Sequence, residues 1–447
     1  MNPKISWSSG LALTVLLVSV ALTACGYKTT TTYGAPIAVA LARYNANAPG
    51  TPGTLDTSFG TQGIVTTDVN PSQDDLAFAV VLQPDGKIIA VGSSFTTSAS
   101  VVVIRYNANG TLDSTFGSGG ITVTSLPSAS ATAFAATLQA DGKLLVAGKT
   151  CPLSGSSSLL LMRYTTSGAL DTGFGTQGIV TTPILSGSAT TANAVAVSGT
   201  NILVAGHSKI GGKFAIALAR YTSSGALDST FGSGGIVTTA VGSLDADAAA
   251  LAVQVDGKIV AAGLAGDAMS QIWDVALLRY NTDGTLDLPF GGTNGMVITD
   301  IGSSSNYANA VALQADGKIV VAGNAFANPS ANTSDIAVLR YNTDGTLDTT
   351  GFGSPNGYVT TSIGAFDDGF AVAVQPADGK IVVAGNADAG MGDRLALLRY
   401  NSNGSLDNGF GTGGIVTRAA SGPSIVAGAF GVALQPADGA IVVVGYD

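Results

Sequence analysis

Residues 279–291 read Arg-Tyr-Asn-Thr-Asp-Gly-Thr-Leu-Asp-Leu-Pro-Phe-Gly, and this stretch decides the fold because the chain writes it seven times. The shared pattern is R-Y-(N/T)-x-x-G-x-L-D-x-x-F-G, and successive copies begin 62, 58, 57, 59, 61 and 59 residues apart. Such a period indicates one supersecondary unit copied in tandem, with each copy burying its apolar face against its neighbours. The arginines that open the copies are Arg43, Arg105, Arg163, Arg220, Arg279, Arg340 and Arg399.

The composition favours short strands joined by tight turns. Gly accounts for 60 of 447 residues, charged residues for only 11%, and every one of the 29 acidic residues is Asp. Glu is a good helix former, whereas Asp prefers turns. The net charge is −10, and seven of the nine arginines belong to the repeated pair. No basic patch is left for a nucleic acid, so we expect no DNA or RNA binding.

One repeat reads as four strands without a helix. In the fifth copy the β-prone runs are 296–299, 308–314, 319–323 and 336–341. The Asp-Gly pair at 316–317 is a strong hairpin signal between the second and third runs. Hairpin connections predict one antiparallel sheet per repeat, and we expect the first run to be innermost and the fourth outermost.

The two chain ends predict that the repeats close into a ring. Residues 37–45 read as a fourth strand without its first three, and residues 415–446 as three strands without a fourth. Joined, the two ends complete one unit. An open solenoid has no reason to begin and end on complementary parts of a unit, and it would need capping repeats. The sequence therefore predicts an all-β protein, a seven-bladed β-propeller of four-stranded antiparallel blades, closed by pairing the N-terminal strand with the C-terminal three strands.

Two further positions recur in every copy. We expect the repeated Asp to accept backbone N–H bonds or to pair with the repeated Arg, and the repeated Phe to fill the space between adjacent blades. The aspartates are Asp56, Asp113, Asp171, Asp228, Asp287, Asp348 and Asp407. The phenylalanines are Phe59, Phe116, Phe174, Phe231, Phe290, Phe352 and Phe410.

A calcium site is an alternative interpretation of the same segment. Asn281, Asp283 and Asp287 offer oxygen ligands at alternate positions, as calcium loops do, but the bidentate Glu of such loops is missing. The equivalent segment at 222–228 keeps fewer ligands. We therefore predict no metal and no cofactor.

Enzyme motifs are scarce. The single histidine, His207, is predicted in a loop, and no Gly-x-Ser-x-Gly nucleophile pattern occurs beside it. The acidic pairs 74–75 and 367–368 are predicted in solvated loops. We therefore predict that the protein is not an enzyme, while an Asp-dependent hydrolase or lyase stays an alternative.

The loops divide into two faces. The Asp-Gly-Lys turns and the Leu-Asp-x-x-Phe-Gly segments fall on one face, here the repeat face. The other face, here the variable face, carries long loops predicted at 148–158, 206–213, 263–274 and 323–335. Variable loops on a rigid scaffold are where recognition is usually placed, so we expect partner binding there, with Trp273 and Phe326 as aromatic anchors. The alternative is that these loops vary neutrally.

The N-terminus reads as a targeting segment. Residues 1–24 combine Lys4 with a short apolar run and are predicted to be a signal peptide. The segment ends in Leu-Thr-Ala before Cys25, which resembles the lipobox of bacterial lipoproteins. That resemblance implies cleavage before Cys25, a lipid anchor on it and, because Gly26 follows, the outer membrane. Residues 25–35 are predicted to be a tether and residues 36–447 the propeller. Cys151 would then be the only remaining thiol, in a loop.

The repeat resembles the delta-60 repeat of bacterial envelope and secreted proteins. The copies that carry the resemblance most fully are 339–385 and 278–323, and it covers residues 37–447. Two copies depart from the Asp-Gly-Lys turn, at 198–201 and at 438–440. The resemblance implies a propeller-like fold without an established catalytic activity.

The predicted function is therefore a binding or scaffolding module of the cell envelope. We expect a monomer that is attached to the membrane by its lipid and has an envelope protein or polysaccharide as partner. A purely structural surface protein is a further alternative.

Overall fold

The protein is a ring of seven four-stranded antiparallel sheets, the blades of a β-propeller. The computed structural model describes residues 37–47, 52–71, 73–95, 98–152, 154–185, 187–292, 294–302, 304–328, 333–388, 393–419 and 428–447. The predicted fold class is confirmed. Within these residues, no helix has the length and apolar character that a membrane span requires.

The pattern of strand lengths is similar from one blade to the next. The chain begins with β1 (Val39–Tyr44) and β2 (Ile64–Thr67). Blade 1 contains β3 (Asp74–Leu82), β4 (Ile88–Phe95), β5 (Ala99–Tyr106) and β6 (Ile121–Thr124). Blade 2 contains β7 (Ala129–Leu138), β8 (Leu144–Pro152), β9 (Ser158–Tyr164) and β10 (Ile179–Thr182). Blade 3 contains β11 (Thr190–Ser198), β12 (Asn201–Ile210), β13 (Lys213–Tyr221) and β14 (Ile236–Thr239).

The second half of the ring repeats this arrangement. Blade 4 contains β15 (Ala246–Val253), β16 (Ile259–Asp267), β17 (Ile272–Tyr280) and β18 (Met296–Thr299). Blade 5 contains β19 (Asn306–Leu313), β20 (Ile319–Asn328), β21 (Thr333–Tyr341) and β22 (Tyr358–Thr361). Blade 6 contains β23 (Asp367–Val374), β24 (Ile381–Asp388), β25 (Asp393–Tyr400) and β26 (Ile415–Arg418). The last strands are β27 (Gly428–Leu434) and β28 (Ile441–Tyr446), and short helical turns at Phe290–Gly292 and Gly353–Gly357 precede β18 and β22.

The order of strands within a blade differs from the prediction by one strand. Residues 296–299 were expected to begin a blade at its inner edge, but they form β18, the outermost strand of blade 4. Met296 pairs with Leu278, and Thr299 pairs with Val275. The preceding loop is compact, so β18 folds back onto β17 at a small entropic cost of loop closure. The inner strand of each blade is instead the Ala- and Val-rich run.

Blade 7 closes the ring from both chain ends, in the order β2-β1-β28-β27. The combination of the chain ends in one blade is confirmed, but the predicted division into one N-terminal and three C-terminal strands is wrong. Each end supplies two strands, because residues 415–418 form β26 of blade 6 and residues 64–67 form β2. Leu41 pairs with Val444 on one side and with Val65 on the other.

The division into two faces is the same in either strand order. The antiparallel topology places the turn between the first and second strands on the same side as the loop between the third and fourth. That side is the repeat face. The variable face holds the hairpins between the second and third strands and the connectors from one blade to the next.

The variable-face loops are shorter than predicted. Strand β16 continues to Asp267 and β17 starts at Ile272, and only two residues separate β12 from β13. Polar side chains in these segments do not interrupt the cross-strand backbone hydrogen bonds, so the strands project beyond the apolar core. The predicted loops 206–213, 263–274 and 323–335 are therefore mostly hairpin arms.

The hydrophobic core lies between the blades. One cluster joins Val260 and Leu277 of blade 4 to Val321 and Leu339 of blade 5, with Phe290 enclosed between them. All seven repeated phenylalanines have at most 1% of their surface exposed. Each contributes about 1.5–3 kcal/mol by burial, and together they hold neighbouring blades in contact.

Candidate functional site

The repeated Arg, Asp and Phe form one cluster per blade on the repeat face, here called the clamp. In blade 4, Nε of Arg279 donates to Oδ2 of Asp287 over 2.6 Å, and the guanidinium lies 4.3 Å from the centre of the Phe290 ring. Both charged residues are at least 90% buried. A hydrogen-bonded ion pair stacked on an aromatic ring is a rigid, well-oriented arrangement.

Each clamp also binds the next blade. Arg279 Nη1 donates to the carbonyl oxygen of Thr343, and the amide of Gly291 donates to the carbonyl of Asp344 over 2.8 Å. Gly345 in the same turn has a φ of +90°, and a Cβ there would lie 2.9 Å from the Phe290 ring. This turn therefore needs glycine for its backbone angle and for the close approach of the ring.

The inter-blade contacts run completely around the ring. The seven guanidinium groups donate to carbonyl oxygens of Ala46, Ala108, Thr166, Ser223, Thr282, Thr343 and Ser402. The contact from Arg399 to Ala46 and the bond from Gly411 N to Pro52 O join blade 6 to blade 7. The clamps thus fasten the two chain ends into the ring.

The lysine of the Asp-Gly-Lys turn strengthens most clamps. Lys318 lies 2.7 Å from Asp348 in blade 5, and blades 1, 2, 4 and 6 have equivalent pairs. In blade 3, the amide of Asn201 donates to Asp228 instead over 3.3 Å. Blade 7 has Ala440 at this position, and Asp56 keeps only its contact with Arg43 among the cationic side chains. The two departures from the turn pattern therefore weaken two clamps.

The clamp lowers the pKa of the repeated carboxyl groups. For Asp113, burial opposes the negative charge, but hydrogen bonds from Thr115 and Lys87 and the charge of Arg105 outweigh it and hold the pKa well below its usual range. The pKa of Asp287 is lowered in the same way, by Lys258 and Arg279. These carboxylates stay ionised and fully engaged, so they are poor candidates for proton transfer or metal binding.

The calcium interpretation meets the same difficulty. Asp283 Oδ1 accepts hydrogen bonds from the backbone amide and the hydroxyl of Thr285, at 2.9 and 2.7 Å. Asp287 is held by Arg279 and Lys258. Among the described residues, no group of three or more His, Cys, Asp or Glu side chains could hold a metal ion.

A tyrosine–threonine pair adds a second link between blades. Tyr341 of β21 is fully buried, and its hydroxyl lies 2.7 Å from Oγ1 of Thr299, the last residue of β18. Five other blades have the same pair. In blade 7 the partner position holds Arg418, and the hydroxyl of Tyr44 is buried without a hydrogen-bond partner. Burial raises the pKa of Tyr44 to about 12, against the opposing charge of Arg418.

The acidic pairs predicted in solvated loops are buried at the start of inner strands. Asp75 in β3 and Asp367 in β23 have no exposed surface. Asp75 Oδ2 accepts from the amides of Val69 and Asn70 at 2.7 and 3.1 Å, and burial raises the pKa of Asp75. The prediction of solvated loops is wrong because these carboxylates hold the blade connectors.

A β-bulge interrupts every inner strand about half-way along the central channel, the space that the seven inner strands enclose. One residue of each inner strand lacks a partner on the neighbouring strand, and the bulge turns its side chain towards the channel. These seven residues, here called the channel ring, are Phe78, Phe134, Asn193, Ala249, Asn309, Phe370 and Phe430.

The glycine after each Val-Ala or Ala-Ala pair of the second strand makes room for the bulge. A Cβ on Gly263 would lie 1.9 Å from the carbonyl oxygen of Asp247, and one on Gly323 would lie 1.8 Å from that of Tyr307. The sequence analysis did not recognise the bulges. The repeated glycine in the interior of an otherwise apolar strand was the signal that could have shown them.

The channel ring has two unlike halves. Phe370, Phe430, Phe78 and Phe134 occupy four successive blades, and their ring centres are 5.3, 5.3 and 5.6 Å apart in that order. They form a continuous aromatic arc, with the tilted and edge-on contacts that aromatic pairs prefer. The arc covers one side of a cavity of about 220 Å³.

The opposite half is polar. Asn193 donates to both carboxylate oxygens of Asp247, at 2.9 and 3.1 Å. Asn309 donates to the carbonyl of Gly369 over 3.0 Å, while its own Oδ1 is buried without a hydrogen-bond partner. Ala249 lies between these two residues in the ring and leaves space there. The polar half therefore presents hydrogen-bond acceptors.

His207 and Lys149 lie beside the channel ring on second strands, at equivalent positions after the repeated glycine. His207 belongs to β12 and not to a loop as predicted, and its Nδ1 lies 3.0 Å from Oδ1 of Asp247, outside the direction of a good hydrogen bond. Lys149 Nζ lies 6.0 Å from the centre of the Phe134 ring. Burial lowers the pKa of Lys149 to about 8.

The predicted aromatic anchors lie on hairpin arms of the variable face. Trp273 is half-buried on β17, and its Nε1 covers Gly266 of the neighbouring strand, where a Cβ would lie only 2.6 Å away. Phe326 is half-buried on β20 and packs edge-on against Tyr307 at 5.8 Å. They belong to adjacent blades but are not free-standing loop side chains.

The two cysteines differ in what the structure shows. Cys25, the predicted lipidation site, lies outside the described residues. Cys151 lies on β8 with 8% of its surface exposed. The predicted loop position of Cys151 is therefore wrong.

The sequence comparisons agree with the fold. Six segments match the family model described as a domain of unknown function (DUF5122) beta-propeller: residues 83–116, 139–174, 201–231, 254–290, 314–350 and 377–410. Each segment begins at or next to the first hairpin turn of a blade. Five of the six end at the Phe of the clamp, and the segment 314–350 ends two residues before Phe352. Blade 7, whose repeat is divided between the chain ends, is not matched. No curated protein sequence matches the chain.

The solved structures that match the chain are distant in sequence. An ulvan lyase of polysaccharide lyase family PL25 has 12% identity and a TM-score of 0.44, over 77% of this chain and 83% of its own. Sqt1 of Chaetomium thermophilum has 13% identity and a TM-score of 0.41, over 83% and 93%. An exo-1,5-alpha-L-arabinanase from a bovine ruminal metagenomic library has 12% identity and a TM-score of 0.33, over 61% and 95%. The chain is a β-propeller repeat protein.

Proposed function

We propose that the protein is an exported, lipid-anchored binding module of the cell envelope that holds a protein or polysaccharide partner on its variable face. The observation that carries the proposal is the different use of the two faces. On the repeat face the same clamp occupies all seven blades. On the variable face the hairpin connections share no common sequence motif. Variation concentrated on one face of a rigid ring supports recognition there.

A capture experiment tests the proposal. A soluble form that starts at Gly26 is immobilised and exposed to bacterial envelope extract. In the test variant, residues 268–271 are replaced by the Gly-Gly turn that naturally joins β12 and β13, and Trp273→Ala is added. The matched control is Val255→Ser, a fully exposed position on the repeat face of the same blade. Binding of each purified partner is then measured directly.

We expect the control to keep its partner and the hairpin variant to lose at least tenfold in affinity, which corresponds to about 1.4 kcal/mol. Equal affinity for both variants would contradict recognition by this part of the variable face.

The lipid anchor has its own test. Cys25 and Cys151 are the only cysteines of the chain, so a thioether at Cys25 and a disulfide within one chain exclude each other. The lipobox supports the thioether. Mass spectrometry of the non-reduced mature protein should find a diacylglycerol on an N-terminal Cys25, and the protein should fractionate with outer membranes. A peptide in which Cys25 is linked to Cys151 would rule out the anchor.

A second candidate function is an envelope hydrolase or lyase. It is favoured by the 3.0 Å approach of His207 Nδ1 to Asp247 Oδ1 beside the channel, which brings an imidazole and a carboxylate close together. His207→Ala should then abolish turnover of an envelope polysaccharide without lowering the unfolding temperature. Unchanged turnover in His207→Ala would exclude this use of the residue.

A further inference from the structure

We infer that the channel ring binds one neutral sugar ring, held between the aromatic arc and the amide side chains opposite it. This inference rests on the proposed binding role, but it places the ligand in the central channel and not on the hairpins. The repeat pattern itself assigns no site there.

The cavity has room for a ring-sized ligand. Its volume is about 220 Å³, and residues of all seven inner strands line it. Its wall consists of inner-strand backbone and the channel ring, so it is built on strands and held in place by the bulges. A ring-sized unit fits this space, whereas a folded protein segment does not.

The two halves of the wall match the two surfaces of a pyranose. The aromatic arc offers ring surfaces from Phe78, Phe134 and Phe370 that suit an apolar C–H face. A pyranose also carries hydroxyl groups around its edge, which donate hydrogen bonds. A few polar groups at fixed positions set the orientation of a bound ligand.

The amide side chains of Asn193 and Asn309 show where the hydroxyl groups would bind. Both residues line the cavity, on either side of the gap at Ala249. An amide side chain can donate and accept hydrogen bonds, as a hydroxyl group can. The two side chains therefore suit the polar edge of a sugar ring.

The charge beside the channel favours a neutral sugar over an acidic one. The Asp247 carboxylate lies on the polar half, where the carboxylate of a uronic acid would approach a like charge. A sugar without its own charge avoids the repulsion.

The test uses the full-length protein in detergent and isothermal titration with defined probes. The probes are neutral trisaccharides of glucose, galactose and mannose, and a galacturonate trisaccharide as the acidic counterpart. The blocking variant is Ala249→Phe, which fills the gap in the polar half. Four of the seven blades already carry Phe at the equivalent position, so the variant is expected to fold.

Two further variants make the result specific. Phe78→Leu removes one stacking surface while it keeps the position apolar. Val255→Ser changes a fully exposed residue on the repeat face of blade 4 and leaves the channel unchanged.

We expect at least one neutral trisaccharide to bind, with affinity at least tenfold weaker in Ala249→Phe, several-fold weaker in Phe78→Leu and unchanged in Val255→Ser. No binding of any neutral probe, binding of the galacturonate alone, or equal binding in Ala249→Phe and the unsubstituted protein would overturn the inference. If the hairpin variant loses partner capture but no neutral sugar binds, the proposed function stands and this inference fails. If a neutral sugar binds in the channel but the hairpin variant keeps its partner, this inference stands and recognition by the hairpin fails.

Discussion

At the scale of single residues, three repeated side chains carry most of the architecture. Arg279 makes three such contacts with one guanidinium group. It pairs with Asp287, lies over the Phe290 ring and donates to the carbonyl oxygen of Thr343 in the next blade. Loss of one partner from such a group destabilises the fold, because the other charge is left buried and unpaired. The repeated arginines are therefore explained by the fold and need no ligand.

The first prediction concerns this clamp. Arg279→Ala should lower the free energy of unfolding by about 3 kcal/mol, because Asp287 keeps only Lys258 and the bond to blade 5 is lost. Arg279→Lys should lose less, because it keeps the charge but not the planar fork. Denaturant unfolding of both variants measures the difference. Equal stability of Arg279→Ala and the unsubstituted protein would contradict the role given to the clamp.

The second prediction compares two tyrosines at equivalent positions. Tyr341→Phe should cost about 1 kcal/mol, because it removes a buried hydrogen bond to Thr299. Tyr44→Phe should be neutral or stabilising, because the Tyr44 hydroxyl has no hydrogen-bond partner. Thermal unfolding of the pair provides the measurement. A loss of the same size in both variants would show that the difference between blade 7 and the other blades has no energetic consequence.

At the scale of the strand, the bulge in each inner strand connects sequence to site. The bulge turns the side chains of the channel ring towards the channel. It depends on the glycine opposite it on the second strand, such as Gly263. It also allows different residues to face the channel in different blades while the sheet keeps its hydrogen bonds. The contrast between the aromatic arc and Asn193, Ala249 and Asn309 is built on an otherwise identical element.

The third prediction tests the bulge. Gly263→Ala places a methyl group 1.9 Å from the carbonyl oxygen of Asp247, so the backbone must shift, at a cost of about 2–3 kcal/mol. The control is Gly302→Ala, where a Cβ meets no atom within 4 Å. We expect a clear loss of thermal stability in the first variant and almost none in the second. An equally stable Gly263→Ala would mean that the inner strand tolerates other geometries.

At the scale of the whole molecule, closure depends on a ring of like contacts that passes through the junction of the chain ends. Blade 7 is the irregular member. It lacks the turn lysine, and the position that pairs with its Tyr44 is Arg418 of blade 6, where the other blades have a threonine. Its strands still pair fully, and Ala38 and Asp447 exchange backbone hydrogen bonds at 3.1 Å. We therefore expect unfolding to begin at this blade.

The fourth prediction follows from the seven clamp carboxylates together. Their pKa values are lowered in the folded protein, so the stability they contribute is present above the ordinary pKa of Asp, about 3.9. It is lost as the pH falls further towards the lowered values. Asp75 and Asp367 have raised pKa values and act in the opposite sense, but they are fewer. The unfolding temperature should hold to about pH 4 and then drop steeply, and a flat profile down to pH 2 would contradict this.

The sequence predicted the blade count, the closure from both chain ends and the two faces, because each rests on a repeat that is visible seven times. It misplaced residues 296–299, because a four-residue apolar run does not reveal which neighbour it pairs with. It also missed the bulges and hence the channel ring, since Phe78 and Asn193 look like ordinary strand residues until the ring brings them together. Contacts between blades are long-range, and a single repeat does not encode them.

The central claim is that recognition belongs to the variable face, and photo-crosslinking tests it most directly. A photoreactive residue is placed either at Met269 on the variable face or at Val255 on the repeat face, both fully exposed and in the same blade. We expect irradiation of intact cells to give a crosslinked partner from position 269 and none from position 255. The same products from both positions, or products from position 255 alone, would contradict the claim.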